Sequence, residues 1–433
     1  MRSVWTGLAF VCLGAGCFTD RSPEALINRA EVERILATLS ADSMEGRRTF
    51  TPGIELAAAF IEQEFSSIGL EKYDGLQGYR QQFHMYSLTP ESYRVVLNGR
   101  EMPVDRYFFS VNLAEIQWAT GDDVEVVTVG PGDNAMETFA SIRGNEGNLL
   151  VLMNERHRGF FDRLRSFMSE PRRTMELGSG GNAVFVLTNQ TRAISYDIAL
   201  TNAVSESGLA NIVGMIPGRS RDEIVLFSAH YDHIGIRPPV DGDSVANGAN
   251  DNATGTTAVI ELAKYFKPQG RPERTLVFVA FTAEEVGGFG SEYFSQQLDP
   301  DKIVAMFNIE MIGKPAKDRP NAAWITGYEK SDFGAILARS MDGTEFSFYA
   351  DPQPDQNLFY RSDNATLARL GVPAHTISTT TLEGEEDYHQ VSDEIETLDL
   401  DLMTTTIRAV ARAAMPIVSG EATPTRIDAS QLQ

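Results

Sequence analysis

Short, uninterrupted apolar runs punctuate the second half of the chain: IVLF at residues 224–227, TLVFVAF at 275–281 and IVAMFNI at 303–309. Runs this short and without polar alternation predict strands buried on both faces, as in a largely parallel sheet. Each ends in the same way. The first gives way to His230, Asp232 and His233, and then to Asp251 inside the GANDN of residues 248–252. The second is followed by Thr282-Ala283-Glu284-Glu285 and the glycines Gly287, Gly288 and Gly290, the third by Glu310-Met311-Ile312-Gly313. Ligands of open α/β sheets bind outside the carboxyl ends of strands. Three strands therefore deliver carboxylates or imidazoles to one candidate edge.

Helical spacing appears elsewhere. Val32, Ile35, Leu36 and Leu39 share one face, and so do Ile54, Ala58, Ile61, Phe65 and Ile68. Residues 253–266 predict a helix with Val259, Leu262, Ala263 and Phe266 on one side, broken off by Pro268, Gly270 and Pro272. A helix over 289–298 and an amphipathic closing helix over 399–418 complete an α/β pattern, with the last fifteen or so residues expected to fray. Between about residues 81 and 207 the texture changes. Strand-like runs at 93–97, 124–129, 148–152 and 183–187 are separated by Gly, Asn and Asp clusters and one arginine-rich helical stretch at 156–173. With 433 residues the chain exceeds what one core usually supports, so this stretch predicts a second, smaller β-rich unit.

Charge narrows the function. A formal net charge of −23 excludes nucleic acid as a partner, since phosphate binding needs clustered cations. Arg156, Arg158, Arg163, Arg165, Arg172 and Arg173 read as a solvated helix face, and the run Glu383-Gly384-Glu385-Glu386 as a solvated loop, with attraction of basic substrates the alternative. The apolar residues 4–15 are too few to cross a membrane but fit a secretory signal. They lead into Leu13-Gly14-Ala15-Gly16-Cys17, which looks like a lipoprotein-type signal peptide over 1–17, with Cys17 as the lipidated residue; plain secretion is the alternative. Cys12 and Cys17 are the only cysteines, so the mature chain is expected to hold no disulfide.

The candidate chemistry gathers around metal ligands. His230, Asp251, Glu285 and Glu310, with His389 from Asp387-Tyr388-His389, form a nitrogen and oxygen set suited to zinc, with one carboxylate left over. His84, His157 and His375 lack any repeated ligand spacing and read as structural. His233 reads as a rim residue. Glu284 and Glu285 also fit a solvated helix N-terminus, where acids favour the dipole.

The order HxD, GAxDNAxG, an adjacent Glu-Glu pair, N-x-[DE]-M-I-G, then YH with an acidic residue four positions on, resembles the co-catalytic zinc exopeptidases of the M28 aminopeptidase type. That resemblance implies a three-layer α/β fold, with a mixed central sheet flanked by helices. It implies a peptidase domain built from residues 18–80 and 208–420, a protease-associated-like insert at 81–207 and a tail at 421–433. It implies two zinc ions per chain: Asp251 bridges them, His230 and Glu310 complete one, and Glu285 and His389 complete the other. Glu284 then carries the proton of the attacking water, Asp232 fixes the His230 imidazole, and Tyr388 donates to the oxyanion. Glutamate at 310 departs from the aspartate usual in the family and changes the reach of that ligand. Residues 44–53 resemble the family's EGR-x-x-G-x-x-G segment, expected as a loop near the active-site rim, with an ordinary helix-helix loop the alternative. Residues 359–364 resemble its SD(H/N) segment. The expected activity is removal of the N-terminal residue from peptides by an exported enzyme of the periplasm or cell envelope, tethered to the membrane through Cys17. The alternatives are a carboxypeptidase, a glutaminyl-cyclase-like member or an inactive binding ectodomain.

Overall fold

The computed structural model describes residues 21–142, 145–168, 170–316 and 319–432. The lipoprotein-type signal read over residues 1–17 lies outside the described residues. The described residues divide into two compact units, one drawn from Met1–Gln82 and Ala210–Gln433, the other from Phe83–Leu209.

In the first unit a mixed sheet holds Tyr196–Ile216 (β1, entering at Ala210), Ser220–His230 (β2), Arg274–Phe281 (β3), Ile303–Ile309 (β4), Ala322–Ile325 (β5), Ser347–Ala350 (β6) and Ala374–Ser378 (β7). Their order is β6-β5-β7-β4-β2-β3-β1. The centre is parallel, β2 pairing with both β3 and β4, and β4 with β7. β1 joins β3, and β5 joins β7, in antiparallel fashion.

The apolar runs are continuous because both faces of this sheet are covered. Alternate side chains point to opposite faces. Val225, Phe227 and Ala229 of β2, Phe278 of β3 and Phe307 of β4 pack into one cluster with the helices Arg29–Leu39 (α1), Pro52–Ile68 (α2), Thr254–Phe266 (α3) and Leu400–Val418. Leu226, Val277, Val279 and Met306 face the other way, against Phe294 of the helix Phe289–Gln296 and Leu367 of the short helix Asn364–Ala368. The result is helix, sheet, helix. The closing residues do not fray as expected: Ile427 is buried in the second cluster, and the Arg426 guanidinium donates to the carbonyls of Pro300 and Ile303 at 3.0 and 2.9 Å.

The second unit, taken by itself, has a four-stranded sheet ordered Tyr107–Ser110, Asn182–Leu187, Asn148–Met153, Glu125–Val129. Its arginine-rich stretch forms a helix only over Arg158–Phe167; Arg172–Thr174 is a strand. Phe161 from that helix packs on Phe108 and Phe185, whose rings stack 4.6 Å apart. On this helix Arg163 is exposed, while Arg158 and Arg165 are half-buried.

Candidate metal centre

Because β2 runs parallel to β3 and β4, the three strands end at the same edge. His230 is the last residue of β2, Glu284 and Glu285 leave the end of β3, and Glu310 directly follows β4. Asp251 sits in the turn Ala249–Ala253 that leads into α3. His389 comes from the loop between β7 and the closing helix, with φ 59°.

Two groups of potential ligands meet at one residue. His230, Asp251 and Glu310 offer ligand atoms within 4.8 Å of one another, and so do His233, Asp251 and Glu285. Asp251 turns Oδ1 towards His230 Nε2 at 3.4 Å and Oδ2 towards His389 Nε2 at 3.2 Å; His389 Nε2 is also 3.2 Å from Glu285 Oε2. Ligand atoms bonded at zinc's usual lengths in a tetrahedron lie about 3.3 Å apart. The spacing fits an ion on either side of Asp251. The donor atoms also lack other work: His230 Nε2 and Glu310 Oε2 are buried without a hydrogen-bond partner among the described residues, an arrangement that costs stability unless something else satisfies them.

The electrostatics agree. Burial opposes charge on Asp251, but the imidazoles of His230, His389 and His233 around it hold it well below the usual carboxylate range. Glu284 belongs to neither ligand group. Burial pushes its carboxyl well above the ordinary range, with Glu310, Glu285 and Asp363 adding to the effect and His230 opposing it. Tyr388 is raised by burial and by Asp251, Glu285 and Glu310, so its hydroxyl keeps its proton. Its ring stacks on His389 at 4.0 Å.

Two local roles differ from the sequence reading. Asp232 does not direct its carboxylate at the His230 ring: His230 Nδ1 lies 3.1 Å from the backbone carbonyl of Asp232 and 3.9 Å from its carboxylate. That carboxylate instead accepts from the backbone N–H groups of Glu284 and Glu285, at 3.1 and 3.2 Å, and from the Thr49 hydroxyl. It fixes the glutamate pair. His233 is not at the rim but buried, with Nδ1 2.8 Å from Glu285 Oε1. Its ring lies so close to Gly248, itself at φ 55°, that a Cβ there would come within 2.5 Å of it. Residues 44–53 do more than link α1 to α2. Arg47 is wholly buried and donates to the carbonyls of Leu39, Tyr231, Asn247 and Gly248, tying the end of β2 to the loop that carries Asp251. Burial draws its guanidinium down to about 10, opposed by Asp393, Asp251, Asp232 and Glu285, so it stays charged at neutral pH.

Further supports had no role assigned from sequence. Asp393 accepts from the backbone N–H groups of Asn250 and Asp251 at 2.8 and 3.0 Å. Asn252 spans to the Ile309 carbonyl and the Met311 N–H, and Asn250 accepts from Gly313 N. The two asparagines thus lock the Asp251 turn to the segment bearing Glu310. Asp393 was visible as the acid four residues after His389, and the asparagines as the flanks of Asp251.

A mixed, largely parallel sheet with paired ligand groups sharing one carboxylate at its carboxyl edge is the arrangement of a metal-dependent hydrolase centre. Residues 211–414 match the model of peptidase family M28. Among curated relatives, a probable leucine aminopeptidase 1 of Trichophyton verrucosum is 30% identical over 204 residues, covering 45% of this chain and 54% of the relative. Aminopeptidase YwaD of Bacillus subtilis is 26% identical over 261 residues, covering 56% and 51%. The chain spans about half the length of the curated relatives it matches. The fold is shared with an aminopeptidase from Aneurinibacillus sp. strain AM-1 (TM-score 0.53, 18% identity, 90% of this chain and 94% of that one). It is also shared with a zinc aminopeptidase from Bacillus subtilis (TM-score 0.53, 15% identity, 92% and 97%).

Proposed function

We propose that this chain is a two-zinc aminopeptidase that hydrolyses the first peptide bond of peptides with a free N-terminus. The observation that carries the reading is Asp251, a buried carboxylate with one oxygen in each of two ligand groups. The names of the relatives point the same way. His230 and Glu310 would hold one ion with Asp251, and Glu285 and His389 the other, with His233 steadying Glu285. Bound zinc ions would polarise the scissile carbonyl and ready a water for attack near neutral pH.

The protein's own groups do the rest. Glu284, outside both ligand groups and held at a raised pKa by burial, takes the proton of the attacking water and returns it to the leaving amine as the C–N bond breaks. The Tyr388 hydroxyl, kept protonated by burial and by its carboxylate neighbours, donates to the oxygen on which negative charge develops. Asp232, gripping the N–H groups of both glutamates, keeps the proton carrier and the ligand from exchanging places.

Elemental analysis of the purified protein should find close to two zinc ions per chain, with activity abolished by chelation and restored by zinc. Free-amine peptides should be consumed and their N-acetylated forms spared. Release of C-terminal residues, or cyclisation of N-terminal glutamine in preference to hydrolysis, overturns the aminopeptidase reading. One tightly held ion with full activity removes the two-metal part and places the fault at Glu310.

Export and tethering through Cys17 belong to the same proposal. Cys17→Ser should move the exported enzyme from the membrane to the soluble fraction with kcat unchanged. A wild-type protein that is already fully soluble after export removes the anchor.

A further inference from the structure

The loop between β7 and the closing helix carries both Tyr388 and His389. His389 sits at φ 59°, a left-handed backbone that a residue with a side chain keeps only where its surroundings fix it. The acidic run Glu383-Gly384-Glu385-Glu386, expected to be a solvated loop, is solvated only in part. Glu383 and Glu386 are exposed, but Glu385 is turned inward, with 10% of its side chain exposed. It meets Lys314, four residues past Glu310. Lys314 Nζ donates to Glu385 Oε1 and to Asp387 Oδ2, at 2.6 Å each.

Asp387 uses both of its oxygens. Oδ2 accepts from Lys314 and Oδ1 from Ser392 Oγ at 2.6 Å, so one carboxylate joins a position two before His389 to one three after it. Glu385 Oε1 also accepts from the Asp387 N–H at 3.1 Å. The segment that carries Lys314 is itself anchored. Its carbonyl accepts from Thr379 Oγ1 at 2.8 Å, next to β7, and the Gly313 carbonyl accepts from Asp399 N at 2.8 Å, where the closing helix begins. Among the described residues, the hydrogen bonds and ion pairs that tie residues 383–390 to distant parts of the chain run to Lys314, or from His389 itself to Asp251 and Glu285. Without the ammonium, the place of His389 would rest on the centre it is there to complete.

We propose that Lys314 is a positioning residue of the metal centre. By gripping Glu385 and Asp387 it holds the loop so that the His389 imidazole stands ready for its ion and the Tyr388 hydroxyl stands beside it. The inference rests on the two-zinc aminopeptidase reading. A purely electrostatic role for Lys314 has the opposite sign. A cation near metal ions repels them, and its removal also frees two carboxylates, so Coulomb's law alone makes zinc bind more tightly once Lys314 is gone. Loss of a tether makes zinc bind less tightly, because an imidazole no longer held in place must be ordered at the moment of binding.

The test measures zinc occupancy of the full chain in metal buffers that fix the free ion, with melting in chelator alongside. Lys314→Met should raise the free zinc needed to half-fill the weaker site by about tenfold or more. Its melting temperature in chelator should stay close to that of wild type, as befits an ion pair near the surface. At saturating zinc, kcat on a leucyl amide should fall about tenfold with KM little changed, since Tyr388 acts on charge that develops only in the transition state. Lys314→Arg keeps a cation with the reach for both carboxylates and should recover most of both losses. Asp387→Asn, which loosens the same grip from the other side, should weaken zinc by a similar factor, and combining it with Lys314→Met should add little. Glu386→Gln, at the exposed neighbour, should match wild type. Tighter zinc in Lys314→Met, or occupancy and kcat equal to wild type, overturns the tether and leaves the two-zinc reading standing. A wild-type protein that holds a single zinc ion, or cleaves no free-amine peptide, overturns both.

Discussion

Glu284→Gln will keep its metals and lose its turnover. Glutamine is nearly isosteric with glutamate, and Glu284 stands outside both ligand groups, so metal content should match wild type. Without a group to carry the proton, kcat should fall by roughly two to four orders of magnitude while KM changes little. Its neighbour should behave differently. Glu285 reaches His389 Nε2 at 3.2 Å and His233 Nδ1 at 2.8 Å, so Glu285→Gln should lower metal content directly, and added zinc should partly restore the rate. Metal analysis separates the two variants before any kinetics are run. Wild-type turnover in Glu284→Gln, or zinc rescue of Glu284→Gln and not of Glu285→Gln, would reverse the roles or abolish them.

Arg47→Met should be the most destabilising single change near the site, by about 3–5 kcal/mol, the usual consequence of removing one side of a buried charged arrangement. The substitution strands the carbonyls of Leu39, Tyr231, Asn247 and Gly248 and withdraws the cation that faces Asp393, Asp251, Asp232 and Glu285. Bound metal supplies positive charge to some of those carboxylates, so the loss of melting temperature should be larger in chelator than in zinc. Arg47→Lys should recover little, because an ammonium on a flexible stem cannot reproduce a planar fork reaching four acceptors. Equal melting of Arg47→Met and wild type in chelator would show that the guanidinium is not what holds these loops.

Why some of this could be read from the residues and some could not is a matter of distance along the chain. His230, Glu285 and Glu310 are legible because a buried strand announces itself by its apolar run, and whatever polar residue follows must stand at the sheet edge. β4 falls on the residues its composition marks, Ile303–Ile309. The supports are different. Arg47 meets Tyr231, Asn247 and Gly248 only after α1 and α2 have packed on the sheet, and no local spacing records that. His233 looked peripheral because it follows Asp232, yet the bend after β2 turns it inward against Gly248. Asp232 shows the limit most clearly: proximity to His230 in sequence suggested one partner, and the folded backbone of the glutamate pair provided another.

The way the second unit is attached has a consequence for how this chain can vary. Within the first unit the strand segments on either side of the insertion are bonded to each other: Val213 N donates to the Tyr79 carbonyl at 2.7 Å, and Asn211 Nδ2 to Gln81 Oε1 at 2.9 Å. Everything from Phe83 to Leu209 is therefore an excursion whose two ends are already pinned together. The entropy of closing such an excursion grows only with the logarithm of its length, about 0.6 kcal/mol for each doubling. Lengthening, shortening or exchanging the excursion is thus nearly neutral for the unit that holds the ligands. That gives descendants of this chain a place to change while the unit that holds the ligands stays as it is.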